Sequence, residues 1–503
     1  MNTKEFKVHF IYNNKGQRVE LGYAEIQTLL FLYEHSFLSQ PQLLEFYSFV
    51  QAAHPATFRK KTSKWLEAGL IKKKATSIQN GHSVVIISLA GAGLTVLKKL
   101  GYIKENIRVK APSFSNIDHS LAIRQTALDV LYNHRKITNA QIYYAKGLYY
   151  VGIKPNVFFN TLTEPVLIYK TKKLGEDRLS HFKKYDGTLQ KYKNTLLTSI
   201  NPYKEKDEYT EVIADWLFEV QGQYLHIEVD CGNEQIRKSK SGHDTSFEGK
   251  LSRLQPQLEK KAMDPSTYHV LFIMVDNRKD AVLTQLHPSR VTRIANVKQE
   301  MARFANFTEW QFEMYVIRFS RTKGFLQNFF RKIAELAADK GSLINQLIDV
   351  FFQKEALQFS DWEFRFLEKD TIQEIQSFTI LNYIPEKIFA YIQPKNKVFQ
   401  LIVPFFMEEG NVKITEQLAE LADSLSHGYY GGALTKILVI YPDASELGYD
   451  VIRKNKKNSK DDSAMDTSNM LFIYMTNFIS LYDIPKLFNE SKKRIPYSMI
   501  FET

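Results

Sequence analysis

The segment from 213 to 230 constrains the fold more than any other part of the chain. It reads IADWLFEVQGQYLHIEVD, two runs of strand-forming residues on either side of the turn 221–223. Such runs around a glycine-containing turn are typical of a β-hairpin. Asp215 lies near the start of the first run, and Glu228 and Asp230 end the second. Because residues two apart on a strand share a face, and the hairpin folds that face back towards Asp215, we expect the three carboxylates to lie close together.

Carboxylates that lie close together repel one another unless a cation or a proton lies between them. Mg2+ and Mn2+ prefer hard oxygen ligands and leave room for water and phosphate. The pattern therefore predicts a Mg2+ or Mn2+ site for phosphodiester chemistry, with Asp215, Glu228 and Asp230 as ligands. An ordinary hairpin with solvated acidic ends is the alternative, and the carboxylates alone do not separate the two interpretations.

Length and composition indicate a large, basic, globular protein. A chain of 503 residues is expected to form roughly two to four domains. Hydrophobic residues make up 44% and aromatic residues 13%, which suits a packed core and excludes a disordered chain. The 67 lysines and arginines exceed the 55 acidic residues, so the net charge is +12. This balance favours a polyanionic partner, nucleic acid before membrane.

The cellular compartment is predicted from cysteine content and hydropathy. The single cysteine, Cys231, excludes an internal disulfide and a cysteine-rich zinc site. The first residues contain no apolar signal core, and no apolar run is long enough to span a bilayer. We therefore expect a cytoplasmic protein with no membrane partner.

The N-terminal region is predicted to be a winged helix-turn-helix domain. Apolar residues recur at helical spacing in three successive segments, of which Ser39 begins the second and His54-Pro55 begins the third. Two strand-like runs then flank Asn80-Gly81, a strong hairpin signal. The order helix, helix, helix, hairpin is typical of a winged helix, which we assign to residues 1–105.

Basic residues occur at both places where a winged helix contacts DNA, the third helix and the wing. A solvated basic helix face is the alternative, and the order of elements also leaves a protein-binding winged helix open. The predicted contacts with double-stranded DNA are Arg59, Lys60, Lys61 and Lys64 on the helix, and Lys72, Lys73 and Lys74 on the wing.

The middle of the chain is predicted to form a restriction-endonuclease-like α/β core, within residues 106–325. A helix with His119 in its first turn is followed by strands between 141 and 170 and by a polar, basic insertion over 171–206. The carboxylate hairpin, a helix, a strand, a second helix and a last strand come next.

The catalytic pattern usual for that core is Asp followed by Glu-x-Lys, and Asp230 stands where the lysine is expected. The lysine orients the attacking water and offsets negative charge. Lys250, on the helix just after the hairpin, is the candidate replacement, although a surface lysine is an equally good interpretation. Arg253, one turn later, is a candidate phosphate contact.

The order of these motifs resembles the replication-relaxation family of plasmids and integrative elements, which includes MobC-type relaxases. The resemblance covers roughly residues 20 to 320. Alanine precedes Asp215 where the family has proline, and Cys231 and Leu254 stand where arginine and tyrosine are usual. The positions that match the family pattern are His119, Asp215, Glu228, Asp230, Glu234 and Lys250.

The resemblance implies a DNA-binding protein of a mobile element that nicks or relaxes DNA at an origin of plasmid replication or conjugative transfer. Asp215 and Glu228 would hold the Mg2+ or Mn2+, and Asp230 would be a further ligand or would position a water. Lys250 would stabilise the pentacoordinate phosphate. His119 would be a base or an outer ligand, or simply a helix histidine satisfied by a backbone contact. Other relaxosome or replication proteins would be partners.

Two other functions are considered. A non-catalytic DNA-binding replication initiator or transcriptional regulator, with an inactive nuclease-like core, is the main alternative. A restriction enzyme is disfavoured because no modification or motor module is evident in the sequence.

The last third, 326–503, is predicted to be a helical linker followed by an α/β lobe. A hairpin over 387–403, a helix, a strand, a helix and a strand repeat the order of the preceding core. The lobe is therefore predicted to be a degenerate copy of the core without its site, since 404–406 reads Pro-Phe-Phe at the positions of Glu228 and Asp230. An unrelated α/β domain is the alternative, because this order is common. As a whole, the chain is predicted to be a multi-domain α/β protein.

Overall fold

The fold is described by a computed structural model, and it combines helices and sheets as the α/β prediction expects. The chain forms two compact units, one of residues 1–287 and 318–336 and one of residues 288–317 and 337–503. The domain boundaries predicted at 105 and 325 stay predictions. The structure describes residues 9–12, 16, 18–77, 83–100, 102, 117–138, 166–170, 215–220, 223–232, 246–260, 264–276, 290–304, 310–333, 363–368, 387–393, 398–426, 434–441, 447, 469–474, 487–489 and 491–496.

The first unit begins with a group of helices and a small antiparallel sheet. Its three-stranded sheet has the order β3-β5-β4, in which β4 and β5 form the predicted hairpin. The turn predicted at Asn80-Gly81 lies outside the described residues. The elements are β1 (His9–Tyr12), β2 (Arg18–Leu21), α1 (Tyr23–His35), β3 (Leu38–Ser39), α2 (Gln40–Val50), α3 (Pro55–Glu67), β4 (Ile71–Ser77), β5 (Ser83–Leu89) and α4 (Gly91–Lys99).

Local signals in the sequence set the ends of these helices. Ser39 Oγ accepts the backbone N–H of Gln42, whose side chain accepts the N–H of Ser39 in return, so the predicted cap of α2 is confirmed. Gly69, after α3, has a φ of 64°, which glycine adopts readily. Helix α4 begins at Gly91. Gly93 is needed inside this helix, because a Cβ there would overlap the carbonyl oxygen of Leu70.

Helix α5 (Ile117–Thr138) is tied to the N-terminal helices. Arg124 donates from its guanidinium to the carbonyl oxygen of His35, at 3.0 and 2.7 Å, and thereby caps the C-terminus of α1. Burial lowers the pKa of Arg124 to about 9. The side-chain amide of Gln42 donates to the carbonyl oxygen of Leu121 at 2.8 Å. Helix α5 therefore connects the N-terminal helices to the sheet that follows.

The central sheet of the first unit contains the carboxylate hairpin. Strands β6 (Val166–Lys170), β7 (Trp216–Val220), β8 (Gln223–Asp230) and β9 (Tyr268–Met274) lie in the order β9-β8-β7-β6. The pairs β6–β7 and β7–β8 are antiparallel, and β8–β9 is parallel. The predicted hairpin is confirmed, although its turn at 221–222 lies outside the described residues.

Helix α6 (Phe247–Lys260) provides the crossover between the parallel strands β8 and β9. Its buried stripe contains Leu251, Leu254 and Leu258, which recur at helical spacing. Helix α8 (Thr322–Ile333) completes the described part of the first unit.

The second unit is built on a separate sheet of five strands, with the order β11-β12-β13-β14-β15. A buried apolar cluster between β13, β14, β15 and α9 forms its core. The elements are α7 (Arg290–Phe304), β10 (Glu313–Arg318), β11 (Glu363–Glu368), β12 (Lys387–Gln393), β13 (Val398–Phe406), α9 (Val412–Ser426), β14 (Leu434–Tyr441) and β15 (Met470–Tyr474).

Strands β6 to β9 and strands β11 to β14 follow the same order and directions, antiparallel, antiparallel, parallel. Glu228 and Asp230 occupy the third-last and last positions of β8, and Pro404 and Phe406 occupy those positions of β13. The repeated element order is thus observed for these strands.

Several sequence predictions lie outside the described residues. They are the strands between 141 and 152, the insertion at 171–206, the position of Glu234, the continuation of a helix beyond 333, and the helix between the last two strands. In the part of the chain that the structure describes, we find no helix with the length and apolarity that a membrane span requires.

Candidate functional site

The candidate site lies at the C-terminal end of β8. His226, Glu228 and Asp230 alternate along one face of this strand, and each is at most 5% exposed. The opposite face carries the buried apolar residues Leu225, Ile227 and Val229. Buried charges are costly unless they are paired and hydrogen-bonded. The partners of these side chains therefore decide what the site can do.

Glu228 is held at both carboxylate oxygens. Lys250 Nζ donates to Oε2 at 2.8 Å, and His226 Nε2 lies 2.8 Å from Oε1. Burial alone would raise the pKa of this carboxyl, but the Lys250 ammonium and the His226 hydrogen bond oppose it and lower the pKa to about 2. Glu228 is therefore a carboxylate at neutral pH.

The start of α6 places Lys250 beside this carboxylate. Ser246 Oγ accepts the N–H of Gly249 at 3.0 Å, and Ser246 O accepts the N–H of Lys250 at 2.9 Å. The ring of Phe247 packs edge-on against Phe272, with centroids 4.9 Å apart, and Phe272 pairs with Glu228 across β8 and β9. The expected convergence of Lys250 on Glu228 is observed, and its catalytic role stays a prediction.

Asp215 and His119 lie close together at the start of β7, beside the C-terminal end of β8. Trp216 pairs with Ile227, so Asp215 lies at the next step of the ladder, opposite Glu228. Asp215 Oδ2 accepts the N–H of Val229 at 2.9 Å and lies 3.4 Å from His119 Nε2.

His119 makes the backbone contact that the sequence left open as its alternative role. Its Nε2 lies 2.8 Å from the carbonyl oxygen of Val229. A carbonyl oxygen only accepts, so this nitrogen carries the hydrogen. His119 therefore fixes α5 to the end of β8 in this arrangement.

The carboxylate of Asp230 turns towards its own chain. Its Oδ1 accepts the N–H of Gly232 at 2.8 Å, which forms an Asx turn. Gly232 has a φ of 94°, a conformation that suits glycine. The side chain of Asp230 thus stabilises the turn that ends the strand.

These contacts determine whether the site can hold a metal ion. Among the described residues, no group of three or more His, Cys, Asp or Glu side chains is arranged to hold a metal. The three-carboxylate ligand set expected from the sequence is therefore not seen in that part of the chain. In the other common arrangement, one or two carboxylates share Mg2+ with substrate phosphates. Asp215 and Glu228 would be the ligands there, because the pairing of Trp216 with Ile227 places them opposite one another.

Two residues of the site were not predicted from the sequence. The Tyr268 hydroxyl lies 2.9 Å from His226 Nδ1, and burial strongly raises the pKa of this phenol. His226 was detectable, because it precedes Glu228 by two residues on a strand and so shares its face. Tyr268 comes from the neighbouring strand, and its place depends on the register in which Tyr224 pairs with it.

The predicted DNA contacts on α3 and β4 are exposed, with one exception. Lys61 donates to the carboxylate of Glu25 and to the Tyr47 hydroxyl, the latter at 2.7 Å. Burial would lower the pKa of Lys61, but these two partners raise it above its usual value. Lys61 therefore ties α3 to α1 and α2. Arg253 is half-buried on α6. The exposed cations are Arg59, Lys60 and Lys64 on α3, and Lys72, Lys73 and Lys74 on β4.

Comparisons of the chain with protein-family models, with curated proteins and with solved structures found no match. Its function is therefore inferred from its own residues and their geometry.

Proposed function

We propose that this protein binds double-stranded DNA through an N-terminal winged helix and nicks it at a centre formed by Asp215, Glu228 and Lys250. The nicking would occur at an origin of replication or transfer of a mobile element, together with other relaxosome or replication proteins. The observation that carries the proposal is the 2.8 Å contact between Lys250 Nζ and Glu228 Oε2. It supplies the ammonium that the Glu-Val-Asp sequence of β8 lacks.

The residues of the centre have separate parts in this proposal. Glu228 is ionised and held at both oxygens, so it offers negative charge in a fixed place. The Lys250 ammonium offsets the charge that develops on the phosphate during attack. His119 uses its Nε2 hydrogen on a backbone oxygen and so positions the hairpin. A Mg2+ or Mn2+ held by Asp215 and Glu228 would supply a Lewis acid for the phosphoryl oxygen.

The DNA-binding part of the proposal rests on the exposed cations of α3 and β4. The three helices and the β4–β5 hairpin follow the winged-helix order, in which the third helix enters the major groove and the wing contacts the backbone. Lysines at the wing would bind phosphates without reading sequence, whereas side chains of α3 would be placed to read base edges.

Nicking is tested with supercoiled plasmid that carries candidate origin DNA, incubated with Mg2+ or Mn2+. We expect open circles with the native protein and at least about a 100-fold loss in Glu228→Gln and in Lys250→Met. Glu259→Gln, which changes an exposed carboxylate on α6 in the same way, is the matched control and should nick normally. Absence of nicking by the native protein with either metal would refute the enzymatic proposal.

DNA binding is tested by the salt dependence of affinity. Each lost phosphate contact should reduce the slope of log K against log salt by about 0.9. Lys60→Ala is expected to reduce it, whereas Lys99→Ala, the same change at an exposed residue of α4, should not. Equal slopes for the two variants would remove α3 from the DNA interface.

Two observations favour a second candidate function. Both oxygens of Glu228 are already bound by side chains of the protein, and the described residues form no three-ligand metal group. These facts also suit a DNA-binding initiator or regulator whose nuclease-like core is a scaffold. Such a protein would retain binding that depends on Lys60 and would not nick with any divalent metal.

A further inference from the structure

A chain of hydrogen bonds runs from the second parallel strand to the candidate centre. The Tyr268 hydroxyl is 2.9 Å from His226 Nδ1, His226 Nε2 is 2.8 Å from Glu228 Oε1, and Lys250 Nζ is 2.8 Å from Glu228 Oε2. Tyr268, His226 and Glu228 are all buried. Only Lys250, with 15% of its side chain exposed, reaches towards solvent.

When the His226 ring is neutral, the hydrogen-bond chain has one consistent assignment of donors and acceptors. The Glu228 carboxylate can only accept, so His226 Nε2 carries a hydrogen. In the neutral imidazole the other nitrogen, Nδ1, is then an acceptor, and the Tyr268 hydroxyl donates to it. The hydrogen-bond chain thus specifies both the tautomer and the ring orientation of the neutral His226 side chain.

The sheet itself, rather than a loop, holds Tyr268 in place. Tyr268 pairs with Tyr224 in the register of β8 and β9, and their rings stack with centroids 6.2 Å apart. The ring of His226 meets the Tyr268 ring edge-on, at 5.8 Å. Sites supported by strands are held more precisely than sites on loops.

We infer that His226 and Tyr268 are positioning residues of the Asp215–Glu228–Lys250 centre, an inference that rests on the proposed nicking function. The last torsion of a glutamate side chain is broad and weakly restrained. A contact with Lys250 at one oxygen leaves the carboxylate free to turn about that torsion, and the His226 hydrogen bond at the other oxygen stops it. Tyr268 acts one step further out, because its hydrogen bond to Nδ1 restrains the orientation of the His226 ring that faces Glu228.

The hydrogen-bond chain is tested directly by nitrogen NMR of the full-length protein with labelled histidine, in which His226→Gln identifies the His226 signals. The native protein should show the Nε2–H tautomer. Tyr268→Phe removes only the hydroxyl and should shift the His226 Nδ1 resonance, because that nitrogen loses its donor while Nε2 keeps its hydrogen, whereas the control Tyr224→Phe, on the paired residue, should not. A native Nδ1–H tautomer, or an unchanged spectrum in Tyr268→Phe, would overturn the inference.

The positioning role is tested by single-turnover nicking. His226→Leu removes the donor and should reduce the rate at saturating DNA by about 10- to 100-fold with little change in the DNA concentration for half-maximal rate. His226→Gln, whose amide can donate to Glu228, should recover part of that loss. An unchanged rate in His226→Leu, or no recovery in His226→Gln, would contradict the role.

The two tests separate this inference from the function on which it rests. If the native protein does not nick, the proposed function fails while the tautomer of His226 still decides whether the hydrogen-bond chain exists. If the native protein nicks but Tyr268→Phe changes neither the His226 Nδ1 resonance nor the rate, the inference fails and the function stands.

Discussion

Replacing Lys250 by methionine should destabilise the first unit by about 3 kcal/mol. Methionine keeps the apolar stem of the side chain and removes the ammonium. Its partners hold the pKa of Glu228 at about 2 in the folded protein, against an ordinary value of 4.5. This lowering of the pKa corresponds to about 3 kcal/mol in favour of the folded carboxylate at neutral pH. The Lys250 ammonium is the main favourable contribution to this difference, and breaking buried ion pairs typically costs about 3–5 kcal/mol.

Unfolding of the whole chain is a poor assay for this loss, because two compact units need not unfold together. Native-state hydrogen exchange measured on peptides over 223–230 and 268–274 reports the opening free energy of β8 and β9 themselves. We expect protection of both peptides to fall in Lys250→Met at pH 7. Lys60→Met, the same substitution at an exposed position of α3, should change it by less than about 0.5 kcal/mol.

The double variant distinguishes a buried ion pair from a surface one. With Glu228→Gln added to Lys250→Met, no charge is left buried without a partner. We therefore expect the double variant to recover at least about 1 kcal/mol relative to the sum of the two single losses. A loss below about 1 kcal/mol in Lys250→Met, together with additive single losses, would match an exposed ion pair and refute the reasoning.

Three further predictions follow from single contacts. Because the folded pKa of Glu228 is lowered, its stabilising contribution is complete above about pH 4.5 and is lost as the pH falls towards about 2, so Glu228→Gln should flatten the acid slope of exchange protection in β8. Arg124→Met removes the donor to the His35 carbonyl and should lower the protection of α1 by about 2 kcal/mol, measured by hydrogen exchange. Gly93→Ala should lower the exchange protection of α4, since its Cβ meets a backbone oxygen, whereas Gly91→Ala, with open space around it, should not, as followed by hydrogen exchange on a peptide over 91–99.

The N-terminal fold was largely predictable because its signals are local. Ser39 caps α2 through a residue three positions away, and His54 caps α3 through the N–H of Ala56. Gly69 supplies the backbone conformation that ends α3. Each of these effects needs only neighbours in the sequence, so it can be recognised without knowledge of the tertiary fold.

The partners of charged residues were less predictable, because they come from distant parts of the chain. Lys61 was assigned to DNA from its position on a basic helix, yet its partner Glu25 lies 36 residues away on α1. Hydrophobic periodicity gives the face of a helix and not the group that faces it. Asp230 shows the opposite case, since the Asp-Cys-Gly sequence already carried a local turn signal that competed with its interpretation as a metal ligand.

The second sheet bears on whether the ion pair of Glu228 and Lys250 serves folding or function. Its strands repeat the order of the first sheet, and it carries Pro404 and Phe406 at the positions of Glu228 and Asp230. The same order of strands is therefore built in this chain with Pro404 and Phe406 in place of the two carboxylates. Apolar side chains often stabilise a core as well as a buried ion pair or better. The order of the strands alone therefore does not account for the ion pair at the end of β8, whereas the proposed role in phosphodiester chemistry would account for it.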